Sequence, residues 1–351
     1  MNRTPLRRAL ALAAAPLAAA LVLSGCSLKT EQAQQTTAAS DAAPVAATAA
    51  ADVPSLAGKR VGIAAKDVVH DISRVFYDSV QQRVEDLGGE VIATQAEADD
   101  EKHITDVENL IAQEPDAIVV ILGDATTLSA TLDKVKAAGI PLFTIDFQTP
   151  AAVNQVQSDN WQIGSTLARN LAEEIGGKGN VLVFNGFPGV APCRIRYNEL
   201  KLVLEDYPDI TIVQPELIEP YEGTVEFARS ATNDILQRYP EGQLSAVWAC
   251  WDIPEIGAAQ AIDAAGRKDV KVFGVDADPG ALELISDPDS SYTATVAQQG
   301  KAIGTASADN VARYLGGQQA DVPKTTYLEP RYIDKDNVGQ VVSELGLTVG
   351  S

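Results

Sequence analysis

The chain has 351 residues, 46% hydrophobic, 21% charged and 5% aromatic, with 27 Lys plus Arg against 48 Asp plus Glu and a formal net charge of −21. That length holds two domain-sized cores, and the composition excludes a disordered, fibrous or small disulfide-stapled protein. The acidic balance excludes DNA or RNA held through a general electrostatic footprint.

Arg3, Arg7 and Arg8 precede an apolar stretch from Ala9 to Leu23 that is too short, and too interrupted by Pro16, to span a bilayer as a mature helix. Residues 1–25 therefore read as a secretory signal peptide. The stretch ends in Leu23-Ser24-Gly25-Cys26, which resembles the lipobox of bacterial lipoproteins. The resemblance implies a lipidated Cys26, a membrane anchor and an extracytoplasmic location. The competing reading is an ordinary secreted protein in which Cys26 is incidental. Removing residues 1–25 takes away three arginines and no acid, so the net charge deepens from −21 to −24. Residues 26–57 are dominated by Ala, Thr, Gln, Ser and Pro without apolar period, and read as a disordered linker after the lipidated cysteine.

From Gly58 onward short apolar runs recur: Arg60 to Ala64, Glu90 to Thr94, Ala117 to Leu122, Pro141 to Asp146, Asn180 to Asn185, Ile210 to Val213, Ala246 to Trp251, Val270 to Asp276 and Tyr292 to Gln298. Most are continuously apolar, as strands buried on both faces of a parallel sheet are. Helical patterns between them close on glycine, as at Gly139 and Gly266. The order predicts an α/β fold of two doubly wound parallel-sheet lobes, with a ligand cleft beyond the carboxyl ends of the strands. Those ends carry Asp146, Phe147, Trp251, Asp252, Asp276 and Gln298. Such carboxylates, amides and aromatic faces suit a neutral polyhydroxylated ligand, although each aspartate taken alone equally suits a helix cap. Trp248 is assigned to core packing and Trp161 to the hinge. Cys193 and Cys250 are left as either a disulfide or two buried free thiols. His70 and His103 have no metal-ligand spacing with them, so neither a metal site nor a cofactor is expected.

Lys136-Ala137-Ala138-Gly139-Ile140-Pro141, Thr144-Ile145-Asp146, Ser158-Asp159-Asn160, Phe273-Gly274-Val275-Asp276 and Ala294-Thr295-Val296-Ala297-Gln298-Gln299 stand in an order that resembles the ribose-type periplasmic sugar-binding proteins, the solute receptors of ABC importers. The resemblance runs from Lys59 to about Asp334. It implies three crossovers, near Ser158-Asp159-Asn160, Gln298-Gln299 and Val322-Pro323. The lobes are then residues 58–157 plus 299–322 and residues 158–298 plus 323–345. It further implies ligand contacts from Asp146, Arg194, Tyr221, Asp276 and Gln298. Phe147 and Trp251 replace polar family positions with aromatic surface, which points away from ribose itself and toward another sugar, a deoxy sugar or a polyol. Asp67, His70, Asn160 and Asp252 are further candidates, each with loop or helix capping as the alternative.

The implied function is a monomeric, lipid-anchored receptor that captures a sugar or polyol by lobe closure and hands it to an ABC permease. No catalysis and no nucleic-acid partner are expected. A ligand-sensing lipoprotein that signals to a membrane receptor is the runner-up. A glycoside-processing enzyme built on Asp146 and Asp276 ranks below it, because no nucleophile elbow or phosphate-cradling loop accompanies them. A repressor of the same fold is excluded, since a signal peptide stands where a helix-turn-helix would be.

Overall fold

A computed structural model describes residues 53–350. The signal peptide, Cys26 and most of the expected linker lie outside the described residues. Folded structure begins before the expected Gly58: Leu56 is fully buried, and its amide donates to the Leu87 carbonyl at 2.8 Å. One apolar residue at the end of a polar tract is enough to tie that end to the lobe.

The first lobe is built from β1 (Arg60–Ala65), α1 (Asp71–Asp86), β2 (Glu90–Gln95), α2 (Asp100–Ala112), β3 (Ala117–Ile121), α3 (Ala125–Ala137), β4 (Leu142–Ile145) and β5 (Asn154–Ser158). The chain then crosses into the second lobe through α4 (Asn160–Glu174), β6 (Lys178–Phe184), α5 (Ala191–Leu204), β7 (Asp209–Ile212), α6 (Thr224–Arg238) and β8 (Ala246–Ala249). That lobe continues with α7 (Asp252–Ala264), β9 (Lys271–Val275), α8 (Pro279–Ser286) and β10 (Tyr292–Ala297). Next, α9 (Gly300–Leu315) and β11 (Thr325–Leu328) return to the first lobe, and β12 (Arg331–Asp334) with α10 (Val338–Leu345) ends in the second. The sheet orders are β11-β5-β4-β3-β1-β2 and β12-β10-β9-β8-β6-β7, parallel except where β12 runs antiparallel to β10.

The physical basis is plain in β3, Ala-Ile-Val-Val-Ile, where all five residues are buried because helices cover both faces of the sheet. One face carries Phe76, Val80, Ile303 and Val311, and the other Val107, Leu110, Leu128 and Leu132. Truncating Leu110 or Leu132 to Ala would cost about 2–5 kcal/mol. Helix starts are fixed by acids: Asp99 caps α2 through the Lys102 amide at 2.7 Å, Asp124 caps α3 through the Thr126 amide at 2.7 Å, and Asp159 caps α4 through the Gln162 amide at 3.0 Å.

All nine expected runs are strands, and three further strands appear. One of them corrects an expectation. Residues Thr325–Leu328 pair with Gln155–Ser158 in the first sheet, so the third crossing lies at Glu329-Pro330 rather than at Val322-Pro323. Asn154 holds that edge: its amide donates to the Pro323 carbonyl at 2.8 Å, and its own oxygen accepts from Asn310 at 3.0 Å.

Candidate functional site

The carboxyl ends of β4 and β9 face one another from the two lobes, and each is followed at once by an aspartate. Asp146 (φ 61°) and Asp276 (φ 118°) both take a positive-φ backbone that L residues other than Asn and Asp rarely adopt. Backbone held this way persists only where the surroundings over-determine it, and such positions concentrate at functional sites. Asp146 is buried, and the Asp276 side chain is 11% exposed.

A row of polar groups joins them. Asn160, the first residue of α4, donates to Asp146 at 3.2 Å and accepts from Arg196 Nε at 2.8 Å. Arg196 donates through Nη1 to the Cys250 carbonyl at 2.8 Å, and the same nitrogen lies 3.7 Å from Asp276. Gln298, at the second crossing, donates to Asp276 at 2.7 Å. The row thus runs from the first lobe, through the first two crossings, into the second lobe. Gly164 lets it form: a Cβ there would lie 2.8 Å from the Arg196 backbone, so α4 and α5 meet closely at the turn that seats the guanidinium.

Two buried carboxyls share one cation. Burial pushes the Asp276 carboxyl up to about 8 against the pull of Arg196, with Asp252 and Asp146 adding to the rise. Burial also raises Asp146, opposed by Arg196 and by its bond from Asn160. Arg196 Nη2 and Gln298 Oε1 are buried without partners, which leaves one donor and one acceptor free in the row.

An aromatic cluster closes the other end. Tyr221 and Trp251 lie nearly parallel, at 15° and 6.2 Å between centroids. Phe187 packs edge-on against both, and from the first lobe His70 does the same at 4.7 Å to each. At 6.2 Å Tyr221 and Trp251 are stacked on one another and leave no slot for a sugar ring between them. They form a single wall. Glu219 fixes that wall by accepting from Trp251 Nε1 at 3.2 Å and from the Gly186 amide at 2.7 Å. Asp67 caps the His70 loop through the Val69 amide at 3.0 Å. Burial, and then the charge of Asp67 across the cleft, push the Tyr221 phenol up. Burial lowers His70 against the opposing charges of Asp67 and Asp71.

The expected residues therefore divide. Asp67, His70, Tyr221 and Trp251 gather in or beside the aromatic cluster, and Asp146, Asn160, Asp276 and Gln298 stand in the polar row. Arg194 does neither: it is exposed on α5, and Arg196 takes the inward position. Phe147 is also displaced, lying in the first-lobe core cluster that includes Leu128, Leu132 and Leu142. Asp252 is an internal strut whose oxygens accept from Tyr292 at 2.7 Å, from Thr295 at 2.8 Å and from the Asp278 amide at 2.8 Å. Trp248 is fully buried in the second-lobe core, and Trp161 packs edge-on against Tyr327 of β11, 6.5 Å away. Cys193 and Cys250 form a disulfide, with Cα atoms 5.0 Å apart. Reading α5 by helical period would have found Arg196, because Pro192, Arg196, Leu200 and Leu204 share its buried stripe. Glu219 and Glu255 were also missed, and for Glu255 the signal is similar: an acid aligned with Ala259 and Ile262 on the buried face of α7.

Among the described residues no cluster of His, Cys, Asp and Glu is arranged to hold a metal ion, and no helix is long and apolar enough to cross a membrane. The family model of the periplasmic binding protein domain matches residues 61–319. A crystal structure of an ABC sugar transporter subunit from Rhodobacter sphaeroides 2.4.1 is 45% identical, with TM-score 0.79, covering 81% of this chain and 100% of that one. An ABC transporter solute-binding protein from Agrobacterium vitis with bound allitol is 42% identical, also with TM-score 0.79, covering 82% and 98%. The ribose import binding protein of Bacillus subtilis (strain 168) is 29% identical over 267 residues, 74% of this chain and 84% of that protein. These relatives are binding components of transport systems, not enzymes. The chain belongs to the periplasmic binding protein domain family, among the ribose-type solute receptors of ABC importers.

Proposed function

We propose that the protein captures a neutral sugar or polyol between its lobes and delivers it to the permease of an ABC importer, held at the outer face of the membrane by a lipid on Cys26. The observation that carries this reading is the polar row Asp146–Asn160–Arg196–Asp276–Gln298, which draws on both lobes and on the first two crossings at once. A ligand bonded to such a row gains its full set of contacts only when the lobes are closed, so binding shifts the population toward closure. Carboxylate and guanidinium hydrogen bonds grip hydroxyls more strongly than neutral pairs do. The aromatic wall offers one face to C–H groups, which suits an open-chain polyol or a small sugar better than a sandwiched pyranose. The Agrobacterium vitis neighbour, which holds the acyclic polyol allitol, supports the same ligand class.

A thermal-shift screen against sugars and polyols tests the reading, since a ligand stabilises the state it binds by RT ln(1 + [L]/Kd). A rise in midpoint with at least one polyol or sugar is expected, and none across the panel sinks the proposal. For the anchor, mass spectrometry of the membrane fraction is expected to show a diacylglyceryl adduct on Cys26. An unmodified mature N-terminus would make the chain an ordinary secreted protein.

A further inference from the structure

Glu255 stands in the first turn of α7, has no solvent exposure, and neither of its carboxyl oxygens has a hydrogen-bond partner. A buried acceptor left unpaired is costly, and in a native protein it needs a reason. The same turn shows that the second lobe can satisfy an acid when it has to: three residues earlier, Asp252 receives Tyr292, Thr295 and the Asp278 amide.

Its position supplies the reason. Trp251 is the extended N-cap residue of α7 and stands immediately before the turn that carries Glu255, and helical side chains lean toward the N-terminus of their helix. For α7 that end lies at the carboxyl end of β8, where the cleft opens. The acids that act on Glu255 include Glu219, which holds the Trp251 indole, and Asp276, which receives Gln298. The turn that carries Glu255 thus starts directly after Trp251 of the aromatic wall and Cys250, whose carbonyl accepts from Arg196 of the polar row.

We propose that Glu255 is a specificity-determining residue of the cleft, whose carboxyl group exchanges a pair of hydrogen bonds with adjacent hydroxyls of a neutral polyol. This rests on the reading of the cleft as a sugar or polyol site. Besides the two Glu255 oxygens, Gln298 Oε1 and Arg196 Nη2 in the polar row and His70 Nε2 in the aromatic cluster are buried without partners. A ligand that both donates and accepts at neighbouring atoms satisfies that set, and a chain of hydroxyls does so. Burial, and then the charges of Asp252 and Glu219, push the Glu255 carboxyl well above the usual carboxylate range, which favours its acid form. A carboxylic acid offers one donor and one acceptor side by side, and so does a glutamine amide.

The test compares wild type with Glu255→Gln and Glu255→Met, using allitol, xylitol and ribose as calorimetric probes and the melting midpoint of each ligand-free protein. Glu255→Gln is expected to keep the wild-type affinity within about threefold, whereas Glu255→Met loses about tenfold or more. Without ligand, Glu255→Met melts at or above wild type, because an unpartnered polar group has been removed. An unchanged Kd in Glu255→Met overturns the proposal, since the carboxyl then touches no ligand. A ligand-free midpoint several degrees below wild type in both variants overturns it too, by making the group a structural one. Failure of the underlying reading looks different: wild type itself then gives no heat with any probe, and the role of Glu255 falls with it.

Discussion

His70 of the first lobe presents its ring edge to Trp251 of the second lobe, 4.7 Å between centroids and 89° between planes. It meets Tyr221 in the same way at 4.7 Å, so one side chain from the β1–α1 loop closes the aromatic end of the cleft. Edge-to-face pairs are worth about 0.5–1.5 kcal/mol each beyond burial. Replacing His70 with Ala is therefore expected to weaken ligand binding by about 5- to 30-fold, measured by calorimetry. It should also shift Trp251 emission in the ligand-free protein, as the indole loses its cover. Unchanged affinity and emission would remove His70 from the closing contact.

Arg196 and Arg194 give a paired test, because they are two residues apart and one is buried while the other is exposed. Arg196→Ala leaves Asp146 and Asp276 facing each other without their shared cation, which is expected to cost about 3 kcal/mol of stability and to abolish binding. Arg194→Ala should stay within about 0.5 kcal/mol of wild type. Urea denaturation with calorimetry checks both, and the reverse ranking would restore the sequence-based choice of Arg194.

The Cys193–Cys250 disulfide closes a loop with a sequence separation of 57 and ties the start of α5 to the end of β8. Loop entropy for that length gives about 4 kcal/mol as the loss when both are changed to Ser. Because Cys250 also supplies the carbonyl that receives Arg196, the double variant should weaken ligand binding along with stability. Denaturation curves with and without reductant measure the effect, and coincident curves would show the bond to be dispensable.

The buried acids set a direction for pH. Asp252 is pushed up to about 7 and Asp276 to about 8 by burial, so the folded protein keeps protons that the unfolded chain has released above about 4. Their contribution is fully present below that unfolded value and is lost as pH rises through the folded values. His103, held down to about 4 by burial, works the other way and destabilises as pH falls below about 6.5. Above pH 6.5 only the acids act, and the ligand-free melting midpoint is expected to fall from pH 6.5 to 8. Asp276→Asn should make that fall shallower. A midpoint that rises over the interval would contradict the assigned protonation.

What the sequence conveyed follows from which residues carry periodic signal. Continuous apolar runs such as Ala117–Ile121 announce buried parallel strands, and the two-lobed α/β architecture follows from their order. Strand β5, Asn154-Gln155-Val156-Gln157-Ser158, is wholly buried yet mostly polar; Asn154 pairs with the distant Pro323 and Asn310, and no local pattern reports that. Strand β11 is a four-residue edge, so the third crossing was placed too early. In the cleft, strand-end aspartates were visible because a strand end is a local feature. Arg196, Glu219 and Glu255 were not, since their roles depend on which helix face or loop meets the opposite lobe. Phe147 misled for a related reason: the chain bends at Asp146, and the ring that follows turns back into the core.

The most direct test is a calorimetric titration of wild type and Asp276→Ala with the polyol or sugar that gives the largest thermal shift. Asp276 stands where the polar row, the second crossing and the second lobe meet, so wild type should bind with a Kd near micromolar, about −8 kcal/mol, and the variant should give no measurable heat while melting cooperatively. An unchanged Kd in Asp276→Ala would contradict the account at its centre.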